Sequence, residues 1–364
     1  MPHNGNWSQN GILYSIPDAV TTAQAQQRAK YERVTEVYQH KGNSECKLGV
    51  NSSDPECEFE QQYMVDCVAT PTSSRCSPGS YARNAIARGI QLQQEMGTNP
   101  LKLGLTGSTD THNANPGDVD EFKYQGMSGT QDADINVRLT NPERVRQSSG
   151  GIVAVWSPEN RREEIFDALK RREAYASSGP RIPLRFFGSW SLPGNLCAQS
   201  NLAELGYQNG VPMGGDLPAR PAGATAPSFV LLAQKDNGPA GHPGVDLQYA
   251  QIIKVWYDPA THATKEQVFN VAGNSSNGAT VDTNTCHATG AGATTLCQVW
   301  TDPSFSATQA AAYYTRVFQN PTCTSRGYDC ASLPAASRPA SCSAATTRLS
   351  DRERIWSSPI WFTP

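Results

Sequence analysis

The periodicity of the chain changes near residue 184, and this change limits the fold more than any other feature. Before it, helix-forming and strand-forming stretches alternate. Residues 18–33 are rich in helix formers, with Asp18, Thr21 or Thr22 available as cap. Val34–Gln39 has strand composition and is broken by His40-Lys41-Gly42. Ala82 to Met96 reads as a helix stopped by Gly97, and a turn at Asn99-Pro100 leads into the strand before Asp110. Gly151 to Trp156 reads as a strand, followed by a helix capped by Ser157, with Pro158 at its first position, that runs to about Arg172. Helix then strand, ending in polar residues, is the rhythm of a β/α barrel. Beyond 184, strand-like runs alternate with Gly, Pro and Asn turns: 184–187, 229–234, 249–257, 267–271, 298–300, 313–319 and 360–363. No strong helical period intervenes, which is the texture of an antiparallel sandwich. The expectation is an α/β protein, with a partial β/α barrel over 1–183 and a β-sandwich-like domain over 184–364.

Ten cysteines, none in a Cys-x-x-Cys spacing, weaken zinc-knuckle and thioredoxin-like readings. Local pairs such as Cys46/Cys57, Cys67/Cys76 and Cys286/Cys297 would close short polar loops, which fits disulfides and an oxidising compartment. Buried free thiols are the competing reading. With 30 Gly, 25 Pro and 17% charged residues, the composition suits an exported, loop-rich protein, periplasmic or secreted, although no signal peptide is visible. The net charge of −3 argues against nucleic acid as a partner, and no apolar run is long enough to span a bilayer.

The most informative segment chemically is Leu103 to Asn113. An apolar run ends in small and polar residues, then Asp110 and His112 follow two positions apart. A barrel strand ends this way at its catalytic face, where alternate residues point the same way. Carboxylate and imidazole are ligands of catalytic divalent metals. A turn with a capping Asp gives the same letters.

Six motifs in order carry a resemblance: Pro2-His3-Asn4-Gly5-Asn6, Gly42 to Cys46, Gly107 to His112, Ala174 to Arg181, Gly210 to Gly215 and Trp356 to Trp361. The series resembles the C-terminal two-thirds of a bacterial family known as domain of unknown function 3604, over essentially the whole chain. That family is similar to the polymerase-and-histidinol-phosphatase metal-dependent hydrolases. The resemblance implies a distorted β/α barrel with metal ions at its C-terminal mouth. It makes His3 the family's middle His, and Asp110 and His112 its late Asp-x-His pair. It also implies an early His-x-His ahead of His3. No His-x-His occurs here, so the chain is expected to lack that region, as a truncation, a fragment or a rearranged site.

The expected site therefore has His3, Asp110 and His112 as ligands of a divalent metal ion: zinc, manganese or calcium. Glu45, just past a barrel-like strand, would move a proton or orient a ligand. Lys41 should face the same mouth or form a loop salt bridge, and His40 could face either way. Arg181 would clamp an anionic group or act as a strut between domains. The expected function is metal-dependent hydrolysis of a small-molecule ester through a metal-activated water, phosphoester before carboxylic ester or lactone. The alternative is a catalytically incomplete fragment or binding module. Oligomeric state, including a homo-oligomer, is left open. Neither a nucleophile elbow nor a Walker loop is present.

Overall fold

The computed structural model describes residues 3, 5–7, 21–62 and 65–364. It is a mixed α/β structure with several sheets. The strand Val34–Gln39 pairs in parallel with Gly104–Gly107 and antiparallel with Gly42–Asn43. The helix Ala82–Met96 makes the crossover that a parallel pair requires. This is the barrel-like part. Among the described residues it does not close into a barrel.

The largest sheet has seven strands. Its path runs Ala263–Gly273, Leu247–Asp258, Ala311–Gln319, Arg354–Ser357, Ala174–Ser177 and Ile152–Val155, and Ile360–Phe362 also pairs with Ala311–Gln319. The boundary expected at 183/184 therefore falls between segments that share one sheet. Strands from both sides of it pair directly, as Ile355 with Ser177 and Trp356 with Ala176 show.

The strands of this sheet divide their side chains by the alternation of the pleat. Ile253, Val255 and Tyr257 join Ala312, Tyr314 and Trp356 under the helix Ala82–Met96. Ala250 and Ile252 join Ala311, Tyr313 and Val317 on the opposite face. There they pack against the four-stranded sheet of Thr295–Thr301, Ser228–Gln234, Leu184–Ser189 and Val211–Pro212, through Leu184, Phe186, Phe229 and Leu231. Two sheets face to face match the sandwich expected for the second half. The inner strands Leu247–Asp258, Ala311–Gln319, Arg354–Ser357 and Ala174–Ser177 are buried on both faces, whereas the edge strands Ala263–Gly273 and Ile152–Val155 are partly exposed. The second-half aromatics Trp356, Trp361, Tyr313 and Tyr314 are core residues, each 2% exposed or less.

Local signals account for several element ends. Thr21 and Gln24 form a reciprocal capping box on the helix Thr22–Tyr31. Asp18, the other early cap candidate, lies outside the described residues. Gly97 closes Ala82–Met96 with a left-handed φ of 74°. The helix expected from Ser157 starts later, at Arg162, because the Ser157 hydroxyl donates to the Glu159 carbonyl instead of capping. Two helices interrupt the strand-rich half, Leu202–Asn209 and Ser325–Ser332.

All ten cysteines are paired, as 46–57, 67–76, 197–297, 286–323 and 330–342. The first two are the short-range pairs expected. Cys286 and Cys297 are not partners, because the Thr295–Thr301 strand carries Cys297 to Cys197, while Cys286 meets Cys323. Five disulfides are consistent with an extracytoplasmic, oxidising compartment. No helix among the described residues is long and apolar enough to cross a membrane.

Candidate functional site

The parallel pairing of Val34–Gln39 with Gly104–Gly107 brings the C-terminal ends of both strands to one edge. Gln39, His40 and Lys41 emerge there from the first strand, Asp110 and His112 from the second. The second strand stops at Gly107, so Asp110 and His112 stand on the loop beyond it, not as alternate strand residues. Asp110 turns the chain with a φ of 50°, a left-handed conformation that Asp tolerates better than most residues.

The Asp110 carboxylate organises this edge. Its Oδ2 accepts from Gln39 Nε2 at 2.8 Å and from the Lys41 ammonium, and lies 3.3 Å from His40 Nε2. Burial alone would raise the Asp110 pKa. Hydrogen bonds with His40 and Lys41, and the lysine charge, outweigh that and hold the carboxyl below its usual range. Burial lowers the His40 pKa, and the bond to Asp110 opposes the shift without cancelling it, so the imidazole is neutral near pH 7. His40 is 1% exposed, and its Nδ1 is buried without a hydrogen-bond partner among the described residues. The His112 ring meets that of His40 edge-on at 6.2 Å between centroids.

The loop of residues 113–148 folds over this edge. His112 donates its backbone N–H to the Met127 carbonyl at 2.6 Å, and Ser148 donates to the His40 carbonyl at 3.0 Å. The result is a cleft of ≈ 360 Å³ whose lining includes His40, Lys41, His112, Gln131, Arg144 and Gln147. Lys41 and Arg144 give it cationic groups, and Glu143 stands among them.

The environment of Lys41 tests whether a cation fits. Its ammonium lies against Asp110 Oδ2, 2.8 Å from His40 Nε2 and 3.5 Å from Gln39 Oε1. Carboxylate oxygen, imidazole nitrogen and amide oxygen around one positive centre make a donor set that suits a divalent ion. The ammonium is thus a stand-in cation, and a metal here would compete with it. The imidazole nitrogen favours zinc over calcium.

The remaining expected residues are distributed differently. His3 is exposed, and Asn6 donates to the Lys41 carbonyl at 2.9 Å, so Asn6 docks beside the cleft. Two triads among the described residues have donor atoms mutually within 4.8 Å, Cys46/Asp54/Cys57 and Glu60/Glu121/Glu353. Neither His3, Asp110 and His112 nor His40, Asp110 and His112 is one of them, and in the first triad both cysteines are spent in a disulfide. Glu45 is 1% exposed and points inward. It takes Arg83 at 2.5 Å, Arg316 at 3.0 Å, Tyr314 at 2.5 Å and the Trp356 indole at 2.6 Å. With every oxygen engaged in the core, it is a strut, not a group at the cleft. Arg181 lies outside the cleft too, exposed, with its guanidinium 3.2 Å from Asp120. Gln39 and Arg144 carry no motif and were not singled out by sequence. The sequence signal that bears on Arg144 is the length of the polar segment 113–148, since a segment of that length without regular periodicity in a compact domain is usually functional or mobile.

A family model described as "Protein of unknown function (DUF3604)" matches residues 1–364, the whole chain. No curated protein and no solved structure matches it.

Proposed function

The chain belongs to the DUF3604 family, and from that premise we propose that it is an exported metal-dependent hydrolase of small anionic esters, phosphoesters before carboxylic esters or lactones. The similarity to polymerase-and-histidinol-phosphatase hydrolases is part of this reading. The observation that carries it is the convergence of His40, Lys41 and His112 on one cleft that Arg144 also lines, with Asp110 held against His40 and Lys41.

Asp110, His40 and His112 are the residues that would hold the ion. When bound, it would polarise the ester oxygen and lower the pKa of an attacking water. The chain's own groups do the rest. Lys41 and Arg144 bind the anionic oxygens of the substrate, Arg144 by a planar fork and Lys41 as a mobile point charge. Asp110 fixes the His40 ring through Nε2. Burial keeps that ring neutral, the form in which an imidazole nitrogen could hold the ion. The segment carrying Gln131, Arg144 and Gln147 forms one wall of the cleft.

A second reading is a binding cleft without turnover. It is favoured by Lys41, whose ammonium already neutralises Asp110. One experiment separates the two. The full chain is loaded with zinc or manganese and assayed on a chromogenic phosphodiester, a phosphomonoester and a short-chain ester, with metal content measured on the same samples. The hydrolase reading expects turnover that falls at least about 100-fold in His112→Ala, together with lost metal, because removing a direct ligand costs occupancy and rate. No turnover in the loaded chain, or unchanged turnover in a metal-free His112→Ala, overturns it.

A further inference from the structure

Glu60, Glu121 and Glu353 come from three distant parts of the chain, yet their carboxylates meet with donor oxygens all within 4.8 Å. Glu60 is 6% exposed and Glu353 2%. The donors around them are unequal to the charge. Glu60 accepts from the Tyr38 hydroxyl and the Arg326 guanidinium. Glu121 accepts from the Ser149 hydroxyl at 2.8 Å and the Ser325 backbone N–H. Glu353 Oε2 accepts from the Ser178 hydroxyl, while its Oε1 is buried with no hydrogen-bond partner among the described residues. Three carboxylates thus face one contacting guanidinium. Like charges this close in a protein interior repel by several kcal/mol on the order-of-magnitude scale of Coulomb's law. A buried carboxylate oxygen left without a donor adds a further penalty. Both costs vanish if a cation sits among the three.

We infer that Glu60, Glu121 and Glu353 bind a divalent cation of the oxygen-preferring class, calcium, magnesium or manganese. All the ligands are carboxylate oxygens, with no imidazole or thiolate, which selects a hard ion over zinc or copper. A doubly charged ion matches the two negative charges that Arg326 leaves over, and Glu353 Oε1 gains a partner. Glu121 and Glu353 also line a cavity of ≈ 370 Å³, through which the ion enters and which supplies water or ligand oxygens for its open positions. None of the three residues lines the cleft of His40, Lys41 and His112, so this site does not depend on the proposed hydrolase.

The test is calorimetric titration of the chelator-treated, redialysed full chain with calcium chloride and with manganese chloride, plus a thermal melt with each ion. The expected result is a saturable calcium-binding event and a raised Tm. Glu353→Gln and Glu121→Gln should each weaken calcium binding at least tenfold, and Asp110→Asn should leave calcium binding unchanged. Glutamine keeps the shape and relieves the repulsion, so both variants should fold, as circular dichroism would verify. Absence of saturable binding by both calcium and manganese overturns the inference. So does calcium binding that survives both glutamine variants, or that is lost in Asp110→Asn. A Glu353→Gln chain more stable than a wild type that binds no ion would show a proton-sharing carboxyl cluster only, and would also overturn it.

Discussion

At the residue scale, the strongest electrostatic feature is structural. Glu45 and Asp54 stand between Arg83 and Arg316, all four within the core. Burial would raise the Glu45 carboxyl, but the guanidiniums of Arg316 and Arg83 outweigh it and hold the pKa at about 2. A carboxyl depressed on folding contributes stability above its unfolded pKa near 4.5 and loses it as pH falls toward 2. Acid unfolding should therefore steepen between about pH 4.5 and 2, and Glu45→Gln should flatten that segment of the stability–pH curve. The same variant leaves two buried guanidiniums short of a counter-charge, and removing one partner of a buried pair costs about 3–5 kcal/mol. Urea titrations of both proteins at pH 7 and pH 4 check the two claims together. An unchanged acid limb in Glu45→Gln would refute the assignment. Glu45 also shows where sequence reading stops. Its position after a strand was legible, whereas its inward direction depends on Arg316, 271 residues away. Asp110 and His112 were legible because ligand chemistry and spacing are local. The triad of Glu60, Glu121 and Glu353 was not, since no short motif links residues that only the fold brings together.

At the scale of elements, the local signals worked where a few neighbours settle the outcome. The helix Ala82–Met96 and its Gly97 stop were legible because propensity and a left-handed glycine are properties of the segment itself. The same holds for the strand Val34–Gln39. The helix Ser325–Ser332 was missed. It is short and poor in helix formers, and it is supported by the Thr324 cap and the Cys330–Cys342 bond rather than by periodicity. Two glycines separate the conformational and the steric demands of the fold. Gly97 has a φ of 74°, and an added Cβ would meet nothing within 4 Å. Gly150 has a φ of 84°, and its Cβ would come 2.8 Å from Thr109 Cα and 3.2 Å from the His40 backbone nitrogen. Gly97→Ala should cost about 1 kcal/mol, from φ alone. Gly150→Ala should cost more, about 2–3 kcal/mol, because the backbone beside His40 must also move. It should also lower turnover at the cleft, which Gly97→Ala should not. Equal stability losses by chemical denaturation would show that the Gly150 contact is absorbed without displacing His40.

At the scale of the whole molecule, the central sheet explains why the expected division at 183/184 does not mark a seam in the structure. The strands Ile152–Val155 and Ala174–Ser177 continue into Arg354–Ser357 and Ala311–Gln319, so the early and late parts of the chain share backbone hydrogen bonds. Periodicity reports what each segment is, not which segment it pairs with, and for that reason the change of texture at 184 was real while the boundary was not visible in the pairing. The four-stranded sheet is the more separable layer. It is held to the central sheet by the apolar face of Phe186, Phe229 and Leu231, and its Thr295–Thr301 strand is tied to the turn Leu196–Ala198 by Cys197–Cys297, the disulfide that closes the longest stretch of chain, 100 residues. In the chain-entropy model a loop of that length is worth about 4–5 kcal/mol, against about 3 for the short ones. The Cys197→Ala/Cys297→Ala pair should therefore lower the unfolding free energy more than Cys67→Ala/Cys76→Ala does. Neither pair lines the cleft, so at a temperature where each variant is folded, turnover and metal content should match the wild type. Denaturant unfolding, run without reductant, gives the comparison. A larger loss from the Cys67–Cys76 pair would show that native packing around each bond, not the length of chain it closes, governs what these disulfides contribute.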